Sequence, residues 1–375
     1  MQDFDYKGFG TLTRSISRTL EYAYNDFCIA EMAKSLSSSP TTDSEKYTLS
    51  SSNWRNLYKP NQTSFWWNGT DTGFTGFFEP RYLNGTWGYQ NPLNCSNHDN
   101  YSVCSLQNNG PETFESSIWE YGFYVPHDQA SLISLYGGPQ RFVDRLNYLH
   151  DQNITYIGNE PSFLTVFQYH YAGRPALSTK RAHFYIPEFF RTTPDGLPGN
   201  DDSGAMGSFV AFAMMGLFPN PGQNVYLISA PFFESVNITN PLDPSKVARI
   251  KAKNFDPTYR DIYIQNATLD GMTWTKNWLD HSFFTEGKEL VLTLGAEESQ
   301  TWGRRVEDLP PSLGVYEGFN GNSSDSSSGY DGSSWNGTSN GNGSSDGSAA
   351  KRIRGWFRGD GGGGEGEGVV GVGSM

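Results

Sequence analysis

The sequence predicts a mainly helical protein that continues into a small β region and ends in a disordered tail. Before residue 220, apolar residues recur at helical spacing in several segments. After residue 224, short apolar runs typical of strands replace that pattern. Beyond residue 312 the chain becomes rich in Ser, Gly, Asn and Asp, which cannot bury a core. We therefore divide the chain into a helical segment, 1–220, a β-rich region, 221–312, and a low-complexity tail, 313–375.

The helical segment opens with a predicted helix over 18–36, in which Leu20, Tyr24 and Phe27 share one stripe. A second helix is predicted over 43–58, with Asp43 as its N-cap. Gly137-Gly138 ends one later helix and Pro139 starts the next. The later helical patterns cover 128–135, 138–149, 161–171, 178–190 and 203–217.

The stretch 60–114 is rich in Gly, Asn and Pro and contains Trp66-Trp67. A loop of this length is uncommon unless it is functional, so we interpret it as a substrate-side loop. The strands predicted after it are Val225–Ile228, Ser235–Ile238, Ala248–Ala252, Ile262–Ile264 and Leu290–Leu294.

Charge and hydropathy exclude some partners. The formal net charge is −13 and the pI is about 4.9, which argues against a nucleic-acid-binding protein. No apolar run approaches the ~18–20 residues that span a bilayer, so we predict no membrane span. The segment that starts at Met1 lacks the basic and apolar regions of a signal peptide.

Cysteines and glycosylation sequons nevertheless favour a secretory route. Cys95 and Cys104 flank a short polar loop, and a disulfide there is plausible in an oxidising compartment. Cys28 lies in a helical pattern and reads as a buried small hydrophobe. Asn-X-Ser/Thr triplets begin at Asn61, Asn68, Asn84, Asn94, Asn100, Asn153, Asn237, Asn266, Asn322, Asn336 and Asn342.

Two pairs of carboxylates suggest acid–base chemistry. Asp201 and Asp202 follow a Gly-rich turn at the start of a predicted helix, where the helix dipole favours an ionised carboxylate. Plain N-capping by Asp202 or Ser203 explains the same pattern. Glu115 and Glu120 lie in an aromatic segment that desolvates a carboxyl group and raises its pKa, although a solvated loop glutamate is the alternative.

An acid in one segment and an ionised base in another match the needs of glycoside hydrolysis. Asn159-Glu160 carry oxygen ligands of the kind that Ca²⁺ prefers, but they could equally cap the helix that Pro161 opens. His127, His170 and His183 lack zinc-ligand spacing and read as hydrogen-bonding or sugar-contacting residues.

Four motifs in one order, VPHD, GNEP, YAG-x-P and GNDD-x-G, resemble glycoside hydrolase family 92. The resemblance covers about residues 8–312. It implies a Ca²⁺-dependent, inverting exo-α-mannosidase, with α-1,2 linkages favoured, that trims N-glycans or mannan. It also implies an N-terminal β-sandwich followed by an (α/α)₆ barrel. The chain resembles the C-terminal half, with an incomplete barrel, and the missing sandwich is a possible partner.

The resemblance also assigns roles to single residues. Glu115 matches the general acid of a Glu-Gly-X-X-Trp segment, in which Ser116 here replaces the glycine. Asp202 matches the general base, with Asp201 as second choice. An inverting pair of carboxyls is expected roughly 6.5–9.5 Å apart. The metal ligands implied are Glu160 and Asn159, and the implied substrate-binding residues are Trp119, Glu120, His127 and Asn200.

Two other functions remain open at this point. The chain could be a catalytically inactive fragment that at most binds mannosides. It could also be an inverting glycosidase for another sugar, an interpretation that depends on fold analogy alone.

Overall fold

The computed structural model describes residues 14–37, 41–99, 104 and 111–319. These residues form two compact units. Unit 1 takes its described residues from 14–165, 221–223 and 312–318, and unit 2 takes them from 166–220, 224–311 and 319. The unit limits therefore differ from the domain boundaries predicted at 220/221 and 312/313. Most of the predicted tail, 320–375, lies outside the described residues.

Unit 1 combines helices with a β-hairpin. Its helices are α1 Ser15–Ser35, α2 Thr42–Ser50, α3 Ile118–Tyr121, α4 Gln129–Leu135 and α5 Pro139–Asp151, and its strands are β1 Tyr58–Phe65 and β2 Asp71–Phe78. Short 3₁₀ helices cover Asn53–Leu57 and Glu160–Ser162. Helix α6, Phe163–Phe167, follows directly, and its last two residues are counted in unit 2.

Two of the predicted helix starts can be checked against the caps. Pro139 is the first residue of α5, as predicted, and Gly138 precedes it with φ +101°. The predicted N-cap Asp43 is wrong. Thr41 caps α2 instead, because its hydroxyl accepts the Ser44 N–H (3.0 Å) while the Ser44 hydroxyl accepts the Thr41 N–H (2.9 Å). Helix α2 also ends at Ser50, well before the predicted residue 58.

The aromatic core of unit 1 encloses the guanidinium group of a buried arginine, Arg145, which the sequence pattern did not indicate. The Arg145 guanidinium is buried, 4.0 Å from the centroid of the Phe77 ring and 4.1 Å from that of Tyr136. Its Nη1 donates a hydrogen bond to the Thr75 carbonyl (3.0 Å). Cation–π contacts with two ring faces compensate part of the cost of burying this charge.

Unit 2 contains two sheets. Its helices are α7 Pro175–Phe189, α8 Ala205–Met215 and α9 Ser282–Glu286, and its strands are β3 Leu217–Pro219, β4 Tyr226–Ile228, β5 Ser235–Thr239, β6 Val247–Lys253, β7 Tyr263–Leu269, β8 Met272–Trp274, β9 Trp278–Leu279 and β10 Glu289–Gly295. Its 3₁₀ helices are Gln168–Ala172 and Val306–Asp308.

The larger sheet has the strand order β5-β6-β10-β7-β8. Strand β10 pairs parallel to β6 and antiparallel to β7. Alternate residues of β6 and β10 are buried, so that one face of the sheet packs on an apolar core. The smaller sheet, β3-β4-β9, is antiparallel.

The prediction of a mainly α protein with an (α/α)₆-barrel-like domain is wrong as a description of this fold. Strands occur in both units, including a hairpin inside the segment predicted to be a loop and a five-stranded sheet. The error has a physical source: sheet pairing joins residues far apart, such as Arg249 and Glu289, and local periodicity does not report it. Within the described ranges, no helix is both long enough and apolar enough to cross a bilayer.

Candidate active site

Glu115 occupies a strained three-residue turn in unit 1. The Ser116 N–H donates to the Phe114 carbonyl (2.6 Å), and Glu115 between them has φ +56°. A turn of this kind with positive φ is rare for a residue with a side chain. The Glu115 N–H donates to the Cys104 carbonyl (2.7 Å). The turn therefore presents an exposed carboxyl group on a backbone that its surroundings hold in place.

The Cys95–Cys104 disulfide lies beside this turn. The pairing predicted from the sequence is confirmed, with a Cα–Cα separation of 5.8 Å. Because Cys104 accepts the hydrogen bond from Glu115, the disulfide restrains the residue that holds the Glu115 backbone.

Glu120 serves as a structural anchor in the same unit. Ser117 is the N-cap of α3, and both its N–H and its hydroxyl lie 2.9 Å from Glu120 Oε2. Glu120 Oε1 accepts from the Thr155 hydroxyl (3.0 Å) and the Tyr156 N–H (3.3 Å). Burial raises the pKa of Glu120, and these hydrogen bonds oppose the rise. Its carboxyl group thus joins α3 to the loop that leads to Asn159.

Asn159 completes the connection between the first and second motifs. Its Nδ2 donates to the Ser116 hydroxyl (3.0 Å) and to the Glu115 carbonyl (3.3 Å). Glu160 follows it as the first residue of a 3₁₀ helix, with Pro161 next. The structure therefore brings Asn159 to the Glu115 turn in unit 1, with Glu160 next to Asn159 in the sequence.

Trp119 and His127 are both buried. The Trp119 Nε1–H donates to the Ser64 hydroxyl (2.9 Å), and its ring packs on Phe77 with centroids 5.1 Å apart. His127 lies 3.0 Å from the Ser51 carbonyl through Nε2 and stacks on Phe27. Burial lowers the pKa of His127, so its neutral form is favoured. Both side chains pack in the interior rather than on an exposed surface.

In unit 2, the two aspartates have different environments. Asp201 precedes α8, whose N-cap residue is Gly204: the Asp201 carbonyl accepts the Ala205 N–H (2.9 Å) and its Oδ1 accepts the Gly207 N–H (3.2 Å). Asp202 is exposed and makes no side-chain hydrogen bond within the described residues. The alternative that Asp202 or Ser203 caps the helix is wrong, because the N-cap residue is Gly204 and the side chain that bonds to the first turn is that of Asp201. Asp202 is therefore left available, next to exposed Asn200.

Both carboxylates of the predicted acid–base pair have left-handed backbones. Glu115 has φ +56° and Asp202 has φ +47°. Asp202 is also followed by Ser203 and Gly204 at φ +67° and +91°, so three successive residues are left-handed. Strained backbone of this kind tends to occur at functional sites, where the surrounding structure maintains it. Among the described acids, Asp270 shares this backbone with φ +49°, but only Glu115 and Asp202 lie in the sequence motifs that resemble the family.

Comparison with known families identifies the fold. The catalytic-domain model of glycosyl hydrolase family 92 matches residues 2–296. The chain belongs to glycosyl hydrolase family 92. The motifs that carry Glu115, Asn159-Glu160 and Asp202 all lie within the matched residues.

Relatives of this family 92 chain include fungal and bacterial proteins. A protein of Arthroderma benhamiae described as an uncharacterized secreted glycosidase is 60% identical over 314 residues, which are 84% of this chain and 40% of that protein. An α-mannosidase of family 92 from Bacteroides thetaiotaomicron, solved with mannoimidazole, has a TM-score of 0.70 at 24% identity over 84% of this chain and 41% of its own. An inverting mannosidase of the family from the same organism has a TM-score of 0.66 at 25% identity over 83% of this chain and 41% of its own. The chain thus spans about two fifths of the length of these relatives.

The residues assigned to Ca²⁺ are chemically suitable but few. Asn159 uses Nδ2 as a donor toward Glu115 and Ser116, and its Oδ1 accepts no hydrogen bond from the described residues. An amide oxygen and the adjacent Glu160 carboxylate are the hard ligands that Ca²⁺ prefers. The described part of the chain holds no group of three or more His, Cys, Asp or Glu residues able to bind a metal. The chemistry of these two residues is therefore compatible with Ca²⁺, and their role as ligands stays a proposal.

The positioning residues Ser117 and Thr155 were missed in the sequence. A signal for the first was present, since Ser117-x-x-Glu120 is a capping-box pattern before an apolar segment. Thr155 gave no local signal, because its partner Glu120 is 35 residues away.

Proposed function

We propose that this family 92 chain belongs to an inverting exo-α-mannosidase that removes α-1,2-linked mannose from N-glycans or mannan. The proposal is supported by family membership and by the solved relatives, which are described as mannosidases. The observation that carries it is the left-handed backbone at Glu115 and Asp202, the two acids whose motifs match the family.

Glu115 is proposed as the general acid. Its exposed carboxyl group would protonate the leaving glycosidic oxygen. Asn159 positions it by hydrogen bonds to the Glu115 carbonyl and to Ser116. Because the strained turn fixes the Glu115 backbone, little rearrangement is needed when a substrate binds.

Asp202 is proposed as the general base, which removes a proton from the attacking water in a single displacement. Asp201 is the second choice for this role, but its Oδ1 already accepts a hydrogen bond from Gly207. Asp202 is exposed just before the start of α8, where water can reach its carboxyl group.

Asn159 and Glu160 would hold Ca²⁺ through oxygen ligands. When bound, the ion would orient the sugar hydroxyls and help to hold the ring in a distorted conformation. Asn200 is proposed to contact the sugar directly, since it is exposed beside Asp202. Trp119, Glu120 and His127 would support the substrate site from the interior.

We further infer a secretory route for the protein. A relative 60% identical to the chain is described as secreted. The Cys95–Cys104 disulfide is consistent with an oxidising compartment.

The test is hydrolysis of an aryl α-mannoside by the full chain in Ca²⁺, with the anomer of the released sugar followed by NMR. Glu115→Gln and Asp202→Asn should each lower kcat by about 10²–10⁴-fold. The matched controls Glu45→Gln and Asp195→Asn change exposed acids and should retain activity.

Three other outcomes separate the rival interpretations. Mannoside binding without turnover, in a folded chain, would favour the inactive mannoside-binding fragment. Turnover of another glycoside in preference to mannosides would favour the inverting glycosidase of different specificity. Retention of the anomeric configuration, or full activity after chelation by EDTA, would contradict the inverting, Ca²⁺-dependent mechanism.

A further inference from the structure

Two surface turns of unit 1 share one sequence pattern and one geometry. Each has an aromatic residue, any residue, and then Asn-Gly-Thr: the first is Trp66–Thr70 and the second Tyr82–Thr86. In both, the N–H of the aromatic residue donates to the threonine carbonyl at 2.9 Å, and the glycine N–H donates back to the aromatic residue at 2.8 Å. Both glycines are left-handed, with φ +85° at Gly69 and +84° at Gly85.

The asparagine of each turn is an accessible acceptor for an N-linked glycan. Asn68 and Asn84 are exposed and begin Asn-Gly-Thr triplets. In each, Oδ1 accepts the N–H of the threonine two residues on, at 3.0 Å. Substitution at Nδ2 keeps that oxygen, so the hydrogen bonds of both turns survive attachment of a sugar.

In each turn an aromatic residue lies two positions before the acceptor asparagine. In the first turn, Trp66 and Thr70 close the loop, and Asn68 lies two residues from each. The Trp66 ring is fixed by its Nε1–H, which donates to the Tyr148 hydroxyl (2.9 Å). Tyr82 and Thr86 close the second turn in the same way. An aromatic face is a suitable surface for the C–H face of a pyranose.

No other triplet in the sequence has Trp, Tyr or Phe two residues before its asparagine. The matched contrast is Asn237, which is also exposed and starts an Asn-Ile-Thr triplet. It lies within strand β5, and Ser235 stands in the position that an aromatic residue has in the two turns. The recurrence of the ring is therefore specific to Asn68 and Asn84.

We propose that Asn68 and Asn84 each carry an N-linked glycan whose first N-acetylglucosamine stacks on Trp66 and on Tyr82. The new bond joins Nδ2 to C1 of the sugar. The C1–O bond of a lipid-linked pyrophosphate donor breaks, and the Nδ2 proton leaves with the pyrophosphate. The proposal needs the secretory route but is independent of mannosidase activity.

The first test is site occupancy in the full chain secreted from a eukaryotic host. Peptide mass spectrometry after digestion should find most copies modified at both Asn68 and Asn84. Thr70→Ala and Thr86→Ala should each remove one glycan, whereas Thr239→Ala should leave both in place. Unmodified asparagine at both positions in the secreted chain would overturn the proposal.

The second test concerns the stacking and uses the unmutated protein first. An endoglycosidase that leaves the first sugar should keep Tm unchanged, whereas an amidase that removes it should lower Tm by about 2–4 °C. In Tyr82→Leu the amidase should lower Tm by less, because one ring is gone. An amidase effect on Tm that is absent, or equal in both proteins, would refute the stacking.

Discussion

Replacing Glu115 by glycine should stabilise the protein although it removes a proposed catalytic group. The left-handed region costs a residue with a side chain about 1–2 kcal/mol, and Glu115 has φ +56°. Glycine adopts that region freely, but it increases the entropy of the unfolded chain by about 0.5–1 kcal/mol. The expected net gain for Glu115→Gly is therefore about 0.5–1 kcal/mol.

Glu45→Gly provides the matched comparison, since Glu45 lies in helix α2 and is exposed. Glycine there should destabilise by about 0.5–1 kcal/mol, because no strain is relieved. Glu115→Gln retains the side chain and the strain, and its stability should stay at the wild-type value.

The assay is urea unfolding of the full chain, followed by tryptophan fluorescence, with mannoside turnover measured in parallel. The free energies of unfolding of the two glycine variants should lie on opposite sides of the wild-type value. The two variants should therefore differ from each other by about 1–2 kcal/mol. If Glu115→Gly lost as much stability as Glu45→Gly, the turn at Glu115 would not be strained, and the structural argument for this residue would fail.

Two further predictions concern acid stability and the disulfide. Burial lowers the pKa of His183 to about 4, so the stability it confers is present above pH 6.5 and is lost as the pH falls through 4, by up to about 3 kcal/mol. His183→Gln keeps a donor for the Ala230 carbonyl and should reduce the dependence of the free energy of unfolding on pH. An unchanged pH dependence in this variant would contradict the role given to His183. Removal of the Cys95–Cys104 bridge, which spans nine positions, by Cys95→Ala with Cys104→Ala should cost about 2–3 kcal/mol in thermal unfolding, and equal Tm values for the two proteins would contradict this estimate.

Elements with strong local signals could be predicted from the sequence. Helix α5 starts at Pro139 because that proline fits the first turn, and strand β6 alternates buried and exposed residues as its sequence suggests. The hairpin was missed, although Asn68-Gly69 between β1 and β2 is a turn signal. The glycines and prolines of segment 60–114 indicate an irregular loop more strongly than its weak alternation of apolar and polar residues indicates strands.

The residue types of the candidate site could be predicted from the sequence, but the contacts that each of these residues makes could not. The Asp201 side chain accepts the N–H of Gly207, six residues later, across three left-handed residues in succession, and no local rule anticipates that contact. Glu120 was predicted to bind substrate, a role that stays a proposal. One of its oxygens bonds to Thr155 and Tyr156, and that contact depends on tertiary structure.

Unit 1 contains residues from both early and late parts of the described chain, so some of its contacts can form only late in synthesis. Asp128 Oδ1 accepts the N–H of Gly314, 186 residues later, and the His127 carbonyl accepts that of Leu313. At roughly 5–20 residues per second, these partners emerge about 10–40 s after the start of helix α4. During that interval the N-terminal end of α4 lacks these two hydrogen bonds, because residues 166–311, which supply most of unit 2, must be translated first. The hydrogen bonds of His127 and Asp128 to residues 313 and 314 can therefore form only late in synthesis.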